Sequence, residues 1–328
     1  MRGMSVYFIN DTTCTDPWRN LALEECLLSR CGQDDAMLYL WQNAQTVVIG
    51  RHQNPWKECR TELLDQEGGR MARRITGGGA VYHDLGNLNF SFIAGRAVYD
   101  VARHLEVVLK AVGAVGVEAE FSGRNDILSA GRKFSGNAFA HRQNASLHHG
   151  TLLISADMQM LGRYLQPPQA KMESKGIQSV RARVINLCEL NPQATVESLR
   201  QALAEAFYAS YGRYEETTAE ALADPALFGA LSARQRSWDW RFGQTPRFDV
   251  CLENRFPWGG VELQLTSRDG RIDCAAVYSD AMDEAFITSV NEALQGLPFS
   301  PAALSKALAR LGGPEASDMA CWLEQCIF

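Results

Sequence analysis

The feature that most constrains the fold is a run of glycines between strand-like segments in the first third of the chain. Residues 77–79 are all glycine; they follow Arg73 and Arg74 and lead into the strand-like residues 80–84. Glycine backbone can approach a ligand closely and point its N–H groups at anionic oxygens, and arginine binds carboxylate or phosphate through paired hydrogen bonds. The run matches neither the P-loop nor the dinucleotide fingerprint. It is typical either of an anion-binding loop or of an ordinary turn.

Strand-like and helix-like segments surround this run. Asp16 and Pro17 supply a cap and a first-turn proline, and so predict a helix that runs to residue 30. Short apolar runs at residues 37–41 and 46–50 predict buried strands, and helical periodicity returns at residues 100–116. The middle of the chain is therefore expected to be rich in sheet.

A break in pattern at residues 242–246 follows predicted helices at about 196–211 and 217–236. Beyond it, three segments read as strands and residues 283–327 read as helices, which is typical of a small α+β unit. We therefore expect two domains, at residues 1–245 and 246–328.

Charge and cysteine content disfavour several classes of function. The net charge of −6 disfavours binding to nucleic acid or to an anionic membrane, yet residues 51–183 contain 18 basic against 12 acidic side chains. A basic middle indicates a small anionic ligand held in a pocket. The nine cysteines form no CxxC pair and read as free thiols. Because no apolar run reaches the roughly 20 residues of a membrane span and no signal peptide is evident, we expect a cytoplasmic protein.

A lysine lies between small residues in the strand-like segment at residues 131–137. Simple alternation predicts that Lys133, Ser135 and Asn137 share one face and that Phe134 lies on the other. A compact cation at this place could contact an acyl carboxylate and a phosphate together, which favours the charge pattern of an acyl-adenylate transition state. A strand-edge lysine that faces solvent fits the same pattern.

Further polar residues are candidate ligand contacts. Asn125 and Asp126 could bind adenine or ribose, and Asp126 could help to hold Mg²⁺ on a phosphate, although such residues are also common in turns. His148 and His149 are neighbours on a strand and so face opposite ways, which does not suit a transition metal. Residues 162–184 contain two prolines and five basic residues, and predict a loop or lid that a ligand could order.

Taken in chain order, these segments resemble the lipoate–protein ligases of the bacterial type. The resemblance runs from Asp16-Pro17-Trp18 to the C-terminal unit, through TVVIGRHQNPWKEC, ARRITGGGAVYHDLGN, SGRNDI, GRKFSGNA, HHGTLL, KGIQSVRARVINL and WGGVEL. It implies an α+β fold. A large mixed-sheet catalytic domain of the biotin/lipoate ligase type, related to class II aminoacyl-tRNA synthetases, would precede a small C-terminal α+β accessory domain.

The resemblance also implies residue roles. Lys133 would be the catalytic residue, in contact with both ATP and lipoate. The contacts implied for ATP and lipoyl-AMP are Arg74, Gly77, Gly78, Gly79, Ala80, Val81, Tyr82, Asn125, Asp126, Lys133, His149, Thr151, Lys175 and Gly176. The contacts implied for lipoate are Trp41, Val48, Arg74, Gly79, His83, Lys133 and Gly136. No protein-held metal site is expected beyond the Mg²⁺ contact of Asp126.

The activity implied is the adenylation of (R)-lipoate by Mg–ATP and the transfer of the lipoyl group to an acceptor lysine. The expected acceptors are the lipoyl domains of 2-oxoacid dehydrogenase acyltransferase subunits and the glycine-cleavage H protein. The chain is expected to act as a monomer, without a nucleic-acid or membrane partner.

Three alternatives share parts of this pattern. A cysteine-dependent octanoyl- or lipoyl-amidotransferase would form a thioester without ATP, and its nearest candidate nucleophile is Cys188, in residues 184–188 that read as a buried strand. A biotin ligase is disfavoured because RRITGGG replaces the arginine-rich glycine loop expected of that family. A lipoyl-adenylate transfer protein without activation activity would keep the same binding residues.

Overall fold

The chain forms two compact units, each assembled from segments that are separated in sequence. The computed structural model describes residues 4–123, 125–166, 183–242, 250–268 and 271–326, without the side chains of residues 56 and 57. Unit 1 comprises Met1–Ile49, Pro55–Arg74 and Ala80–Arg241; unit 2 comprises Gly50–Asn54, Ile75–Gly79 and Phe242–Phe328. The predicted contacts Lys175 and Gly176, and the predicted domain boundary after residue 245, lie outside the described residues.

The strands of unit 1 form a large mixed sheet and a small one. In chain order they are β1 (Val6–Asp11), β2 (Ala36–Trp41), β3 (Thr46–Ile49), β4 (Arg70–Arg73), β5 (Val81–His83), β6 (Asn87–Gly95), β7 (Glu120–Phe121), β8 (Asp126–Ser129), β9 (Arg132–His141), β10 (Ala145–Leu153) and β11 (Glu215–Thr217). Over the described residues the large sheet has the order β11-β1-β2-β6-β10-β9-β8-β7, and the small sheet has the order β4-β3-β5. The β1 strand is parallel to both β2 and β11, whereas β2, β6, β10, β9 and β8 are successively antiparallel.

Helices of unit 1 pack against the large sheet and connect its strands. In chain order they are α1 (Pro17–Arg30), α2 (Pro55–Glu58), α3 (Thr61–Gln66), α4 (Val101–Ala114), α5 (Met158–Tyr164), α6 (Leu187–Leu190), α7 (Val196–Tyr211), α8 (Ala219–Leu222), α9 (Pro225–Arg236) and α10 (Trp238–Arg241). Over the described ranges, no helix combines the length and the apolar character needed to cross a membrane.

Alternating side chains of the central strands build a core on one face of the large sheet. Leu38 and Leu40 of β2, and Phe90 and Phe92 of β6, are buried there in one cluster with apolar side chains of α4 and α7. Because side chains along a strand alternate between faces, the intervening residues of these strands point to the opposite face. That second face is polar and holds the candidate site.

Strand β9 departs from simple alternation directly after Lys133. The neighbouring strand β8 pairs Leu128 with Lys133 and Ile127 with Ser135, so Phe134 is an extra residue without a cross-strand partner. Such a β-bulge reverses which residues of the strand share a face. Upstream, a two-residue turn at Ala130 and Gly131, both with positive φ, joins β8 to β9.

The bulge places Lys133 on the polar face. Its Nζ lies 2.9 Å from the position that a Cβ on Gly136 would occupy, so these two residues share a face. Ser135 and Asn137 share the other face, where their side chains are 3.5 Å apart. The predicted common face of Lys133, Ser135 and Asn137 is therefore wrong, because the extra residue shifts the alternation between Lys133 and Ser135.

A buried pair of histidines links α4 to the core face of the sheet. The Nδ1 atoms of His104 and His148 are 3.4 Å apart, and His148 Nε2 lies 2.8 Å from Asn137 Oδ1. The Asn137 amide donates from Nδ2 to Asn125 O at 3.0 Å, so its Oδ1 accepts a hydrogen from His148 Nε2. Burial lowers the pKa of His104 to about 3 and holds the pKa of His148 well below its usual range. Both rings are therefore neutral in the folded protein.

Unit 2 contains a separate antiparallel sheet covered by helices. Strands β12 (Val250–Phe256), β13 (Gly259–Arg268) and β14 (Arg271–Ser279) pair in that order, and α11 (Glu284–Leu294), α12 (Pro301–Ala309) and α13 (Pro314–Glu324) follow. Its core includes Leu263, Leu265, Ile287, Leu304 and Met319, all at most 1% exposed. The unit thus has a hydrophobic core of its own.

The predicted α+β architecture is confirmed, with a large mixed sheet and a separate small antiparallel sheet. The predicted helix at residues 217–236 is divided, because the Asp224 side chain caps a new helix at Pro225. The predicted strand at residues 184–188 is wrong: Val184 forms only an isolated β-bridge with Lys133, and Leu187 and Cys188 lie in α6. The Glu189 side chain accepts a hydrogen bond from the Asn186 N–H at 3.1 Å, which starts the short helix α6 there.

Gly150 lies where two strands and their side chains approach closely. A Cβ at this position would lie 2.4 Å from Phe90 Cζ and 2.8 Å from Asn137 Oδ1. We expect Gly150→Ala to lower the free energy of unfolding by about 1 to 3 kcal/mol, because the buried ring cannot move without strain. Gly113→Ala is the matched control: nothing lies within 4 Å of its Cβ position in α4. It should raise stability by about 0.5 to 1 kcal/mol in chemical denaturation. Equal effects of the two variants would contradict this packing.

The buried histidine pair makes stability depend on pH. The folded pKa values of His104 and His148 lie below the unfolded value of about 6.5, so the unfolded chain binds more protons as pH falls. Their contribution is complete above that value and is lost below it. We expect the free energy of unfolding to fall by roughly 1.4 kcal/mol per pH unit for each histidine between about pH 6 and 5.

Denaturant titrations at several pH values measure this slope. His104→Phe should reduce the slope by about one histidine's share. The exposed His141 offers a control, since His141→Asn should leave the slope unchanged. A flat profile in the wild-type protein would show that the pair does not govern acid stability.

Candidate active site

Lys133 lies among three other predicted contacts on the polar face of the large sheet. Its Nζ is 2.7 Å from Oδ1 of Asp126 on the adjacent strand β8. The Gly136 N–H, beneath the ammonium group, donates to Thr151 Oγ1 at 3.3 Å. The Lys133 and Asp126 side chains are each 33% exposed, so the ion pair is open to a ligand.

The backbone of Lys133 is fixed on the side away from β8. Its N–H donates to Arg183 O at 2.8 Å, and its carbonyl accepts from the Ile185 N–H at 3.0 Å. Asn125, which precedes Asp126, is held through its carbonyl by the Asn137 N–H at 2.8 Å. The lysine and its carboxylate partner are therefore positioned by main-chain hydrogen bonds on neighbouring strands.

A buried carboxylate organises the polar face further along the sheet. Glu24 of α1 is 1% exposed, and its Oε1 accepts a hydrogen bond from Ser91 Oγ at 2.5 Å. Trp41 Nε1 donates to Ser91 Oγ at 2.9 Å, and His149 Nδ1 lies 2.9 Å from Glu24 Oε1. The chain of contacts joins β2, β6 and β10 to α1, and so fixes two predicted ligand contacts, Trp41 and His149.

Arg74 follows β4 and is only 6% exposed. Its backbone N–H donates to Ile49 O at 3.1 Å, and its guanidinium Nη1 donates to Val48 O at 3.2 Å. Burial lowers the pKa of Arg74 to about 10, a shift that the carboxylates of Glu24 and Glu58 partly oppose. At neutral pH the site therefore contains a buried positive charge beside the Glu24 network.

His83 at the end of β5 is neutral and of known tautomer. The Asn43 Oδ1 accepts from Asn20 Nδ2 at 3.1 Å, so the Asn43 Nδ2 faces His83 Nδ1 at 3.1 Å and donates to it. Burial, with a smaller effect of Arg74, lowers the pKa of His83 to about 3. The ring hydrogen is therefore on Nε2, for which no partner exists among the described residues.

Two asparagines of β6 also present buried polar atoms to this face. The Asn87 Nδ2 donates to Asn89 Oδ1 at 3.0 Å, which leaves Asn87 Oδ1 and Asn89 Nδ2 without a hydrogen-bond partner in the described part of the chain. Their side chains are 0% and 1% exposed. Such atoms are rare in folded proteins, and they indicate a ligand or ordered water at this place.

The glycine run belongs to unit 2. A Cβ on Gly77 would lie 2.3 Å from Ala281 O and 2.8 Å from Met282 O, and the Gly78 N–H donates to Ala281 O at 3.1 Å. Gly77 is therefore required by the close approach of the 281–282 backbone. Gly79 is exposed, with nothing within 4 Å of its Cβ position.

The structure brings the predicted contacts of unit 1 together in two groups. The first surrounds the ammonium group: Lys133, Asn125, Asp126, Gly136 and Thr151. The second surrounds Glu24 and the small sheet: Trp41, Val48, Arg74, His83 and His149. Of the others, Val81 and Tyr82 pair with β3, Ala80 precedes them, and Gly77, Gly78 and Gly79 lie in unit 2.

The sequence patterns did not identify four polar residues of this face. Glu24 is hidden in an otherwise ordinary amphipathic helix, and Asn87, Asn89 and Ser91 lie in a strand. The signal in β6 is the alternation of polar with apolar residues in a strand that is buried on both faces. Glu24 offered no comparable signal.

Asp126, the candidate for a Mg²⁺ contact, and Cys188, the candidate thiol nucleophile, both lie in unit 1. Within the described ranges, Asp126 belongs to no cluster of three potential metal ligands; the single such group is Cys251, Glu253 and Glu262 of unit 2. Cys188 is half-buried in α6, and its N–H donates to Ile154 O. Chemically, the site offers two cations, Lys133 and Arg74, and a set of unpaired polar atoms, which suits an anionic ligand with further polar groups.

The chain is similar to known proteins both in sequence and in fold. The model of the lipoyl protein ligase A/B catalytic domain matches residues 16–208, and a model of the bacterial lipoate protein ligase C-terminus matches residues 245–319. The lipoate complex of LipL1 from P. falciparum is 29% identical, with a TM-score of 0.85 over 99% of this chain and 100% of that one.

Two further solved structures cover about three quarters of the chain. A bi-partite lipoate protein ligase from Thermoplasma acidophilum, described with its E2 lipoyl domain, is 26% identical, with a TM-score of 0.65 over 76% of this chain and 100% of that one. Lipoate-protein ligase A bound with ATP is also 26% identical, with a TM-score of 0.61 over 74% and 99%. Since both family models match in chain order, this chain belongs to the lipoate–protein ligase family.

Proposed function

We propose that the protein activates lipoate with ATP and transfers the lipoyl group to a lysine of an acceptor protein. A lipoate carboxylate oxygen attacks the α-phosphorus of ATP, the bond to the bridging oxygen breaks, and pyrophosphate leaves, which gives lipoyl-AMP. The unprotonated ε-amine of the acceptor lysine then attacks the acyl carbon, AMP leaves with the electrons of the C–O bond, and the amine loses a proton. Both steps depend on positioning and charge neutralisation, and neither needs a nucleophile on the protein.

The placement of Lys133 is the observation on which this proposal rests. Two anionic groups, the acyl carboxylate and the α-phosphate, must meet in the first step, and a cation between them reduces their repulsion. Asp126 holds the Lys133 ammonium in one place, and Gly136 leaves open the space where a side chain would otherwise lie. The ammonium group, beside its ion pair with Asp126, has three hydrogens with which it can bind substrate oxygens.

The remaining contacts are assigned by family resemblance together with position in the fold. We propose that Arg74, Ala80, Val81, Tyr82, Asn125, Asp126, His149 and Thr151 contribute to the nucleotide and adenylate site, with Gly77, Gly78, Gly79, Lys175 and Gly176. We propose that Trp41, Val48, Arg74, Gly79, His83, Lys133 and Gly136 contribute to the lipoate site. Mg²⁺ would enter with the phosphates of ATP, and Asp126 is the nearest carboxylate to Lys133 that could assist it.

Relatives support the choice of substrates and acceptor. Similar structures contain lipoate or ATP, and one ligase is described with its E2 lipoyl domain. We propose lipoyl domains of 2-oxoacid dehydrogenase acyltransferase subunits, and the glycine-cleavage H protein, as acceptors. We further propose that the enzyme acts as a monomer in the cytoplasm.

Cysteine-dependent transfer is the competing reaction, because the catalytic-domain model covers A and B types together. It would use the thiol of Cys188 in place of ATP. The match of residues 245–319 to a ligase C-terminus favours ATP-dependent activation.

Exchange of labelled pyrophosphate into ATP, measured with lipoate, octanoate and biotin in turn, tests the first step. We expect lipoate-dependent exchange in the wild-type protein, and a loss of at least about 100-fold in Lys133→Ala, because a fixed cation at the reacting centre is removed. Lys110→Ala is the matched control: Lys110 is 56% exposed on α4 and forms an ion pair with Glu106, four residues earlier. It should exchange at the wild-type rate.

The same assay separates the alternatives. Absence of exchange with every acid would sink the ligase proposal, and transfer from supplied lipoyl-AMP in that case would indicate a transfer protein without activation. Cys188→Ser should keep both exchange and transfer. Loss of transfer in Cys188→Ser, with no ATP requirement in the wild type, would establish the thioester reaction instead.

Gly136→Ala tests the placement of the ammonium without removing it. The added Cβ would lie 2.9 Å from Lys133 Nζ and 3.0 Å from Cε, so the flexible side chain must move while the backbone stays. We expect lipoate-dependent exchange to fall by about 100-fold, since a displacement of about 1 Å at the reacting centre has that effect. The free energy of unfolding should change by less than about 0.5 kcal/mol. Full activity in Gly136→Ala would show that the position of Nζ is not critical.

A further inference from the structure

The carboxylate that faces Lys133 depends on the backbone for its position. Oδ1 of Asp126 lies 2.7 Å from Lys133 Nζ, yet it accepts no aligned hydrogen bond within the described part of the chain. Both side chains are 33% exposed, so packing alone does not fix them. The place of the carboxylate therefore follows from the orientation of the main chain at the start of β8.

The main chain at this point is held by Asn137 of the neighbouring strand β9. The carbonyl of Asn125 accepts two hydrogen bonds, one from the Asn137 N–H at 2.8 Å and one from Asn137 Nδ2 at 3.0 Å. The Asp126 carbonyl in turn accepts from the Ser122 N–H at 2.9 Å. The two bonds on the Asn125 carbonyl orient the planar peptide group that joins it to Asp126, and with it the direction of the Asp126 side chain.

A buried histidine keeps the Asn137 amide in the orientation that donates to Asn125. A main-chain carbonyl can only accept, so Nδ2 of Asn137 faces Asn125 and Oδ1 faces His148. His148 therefore donates from Nε2 at 2.8 Å, and its Nδ1 accepts from Nδ1 of His104 at 3.4 Å. The side chains of this series are at most 4% exposed. Directed hydrogen bonds thus connect α4, through the core face of the sheet, to the strand that carries the partner of Lys133.

We propose that Asn137, oriented by His148, is a positioning residue that holds Asp126 opposite Lys133. Its side chain lies on the core face, away from the reacting atoms, and acts through the Asn125 carbonyl. Without this amide the carboxylate can turn away, and the ammonium loses its fixed place. A displacement of about 1 Å at a reacting centre can lower the rate by about 100-fold. This inference rests on the proposed function.

Two replacements of His148 separate a hydrogen-bonding role from a packing role. The ring of this residue lies against three phenylalanines, with ring centroids 4.7 to 5.9 Å apart: Phe90, Phe92 and Phe139. His148→Phe keeps an aromatic ring in this place but removes the donor to Asn137. His148→Gln loses the ring but keeps an amide donor.

The measurement is kcat for lipoate-dependent pyrophosphate exchange, with chemical denaturation as the check that each variant is folded under the assay conditions. We expect kcat to fall by about tenfold in His148→Phe and by less than about twofold in His148→Gln, because exchange follows the donor. A role in packing alone predicts the opposite order. That opposite order, or equal exchange by the two variants, would overturn the inference.

Asn137→Ala removes the side-chain donor to Asn125 directly. We expect kcat for the same exchange to fall by about tenfold or more, with the KM values of ATP and lipoate within about twofold of the wild type. The reason is that the cation at the reacting centre is displaced but still present for binding. Asn144→Ala is the matched control: Asn144 is exposed between β9 and β10, and its replacement should leave both parameters unchanged.

Wild-type kcat in a folded Asn137→Ala, whatever its KM values, would overturn this inference while the ligase function stands. Should Asn137→Ala fail to fold, the two His148 variants decide; should one of those fail, Asn137→Ala decides. Absence of lipoate-dependent exchange in the wild type would instead overturn the proposed function, and this inference with it.

Discussion

The candidate site depends on the extra residue in strand β9. Phe134 packs into the core, and Ser135 and Asn137 follow on the same side, where Asn137 receives the hydrogen of His148. In a regular strand Lys133 would share that side, and its ammonium would be buried without a partner, at a large cost in solvation. The bulge removes this conflict, because it lets the core keep Phe134 while Lys133 faces Asp126.

The two faces of the large sheet differ in the side chains that they present. On one face, phenylalanines and leucines pack against α4 and α7, and the buried histidine pair is hydrogen-bonded to Asn137. On the other face, Glu24, Arg74 and the asparagines of β6 place charge and unpaired polar atoms within the protein. His148 and His149 are neighbours in sequence, yet they serve opposite faces because strand side chains alternate. One face of the sheet is therefore packed as a hydrophobic core, and the other holds the candidate site.

Local patterns in the sequence predicted most of the elements. The Asp16 cap defines α1, and alternating apolar residues define the strands of both sheets, since these signals act within a few residues. The face of Lys133 could not be predicted in this way, because the bulge is decided by how β9 pairs with β8. The helix at Cys188 was missed because its start depends on one side chain, Glu189, in an apolar context.

Among the candidate site residues, Lys133 could be singled out from its type and neighbours, whereas most other contacts came from the family resemblance. Lys133 and Gly136 stand out between small residues, whereas Asn87 and Asn89 gain meaning only when their unpaired atoms are seen. The family resemblance named the glycine run as a ligand contact. Its membership of unit 2 is a matter of tertiary contact between residues distant in sequence, and no local pattern reveals such contacts.

The composition of unit 2 has a consequence for how the chain is made. Gly50–Asn54 and Ile75–Gly79 are synthesised early, but their partners in the unit come from the C-terminal part: the Gly78 N–H needs Ala281 O, and His52 O needs the Ser279 N–H. During synthesis from the N-terminus, these two segments cannot form those hydrogen bonds until most of the chain has been synthesised. The glycine loop therefore reaches its final conformation only after residues 279–281 have been synthesised, so that a nascent chain with a largely formed unit 1 still has an unfinished loop.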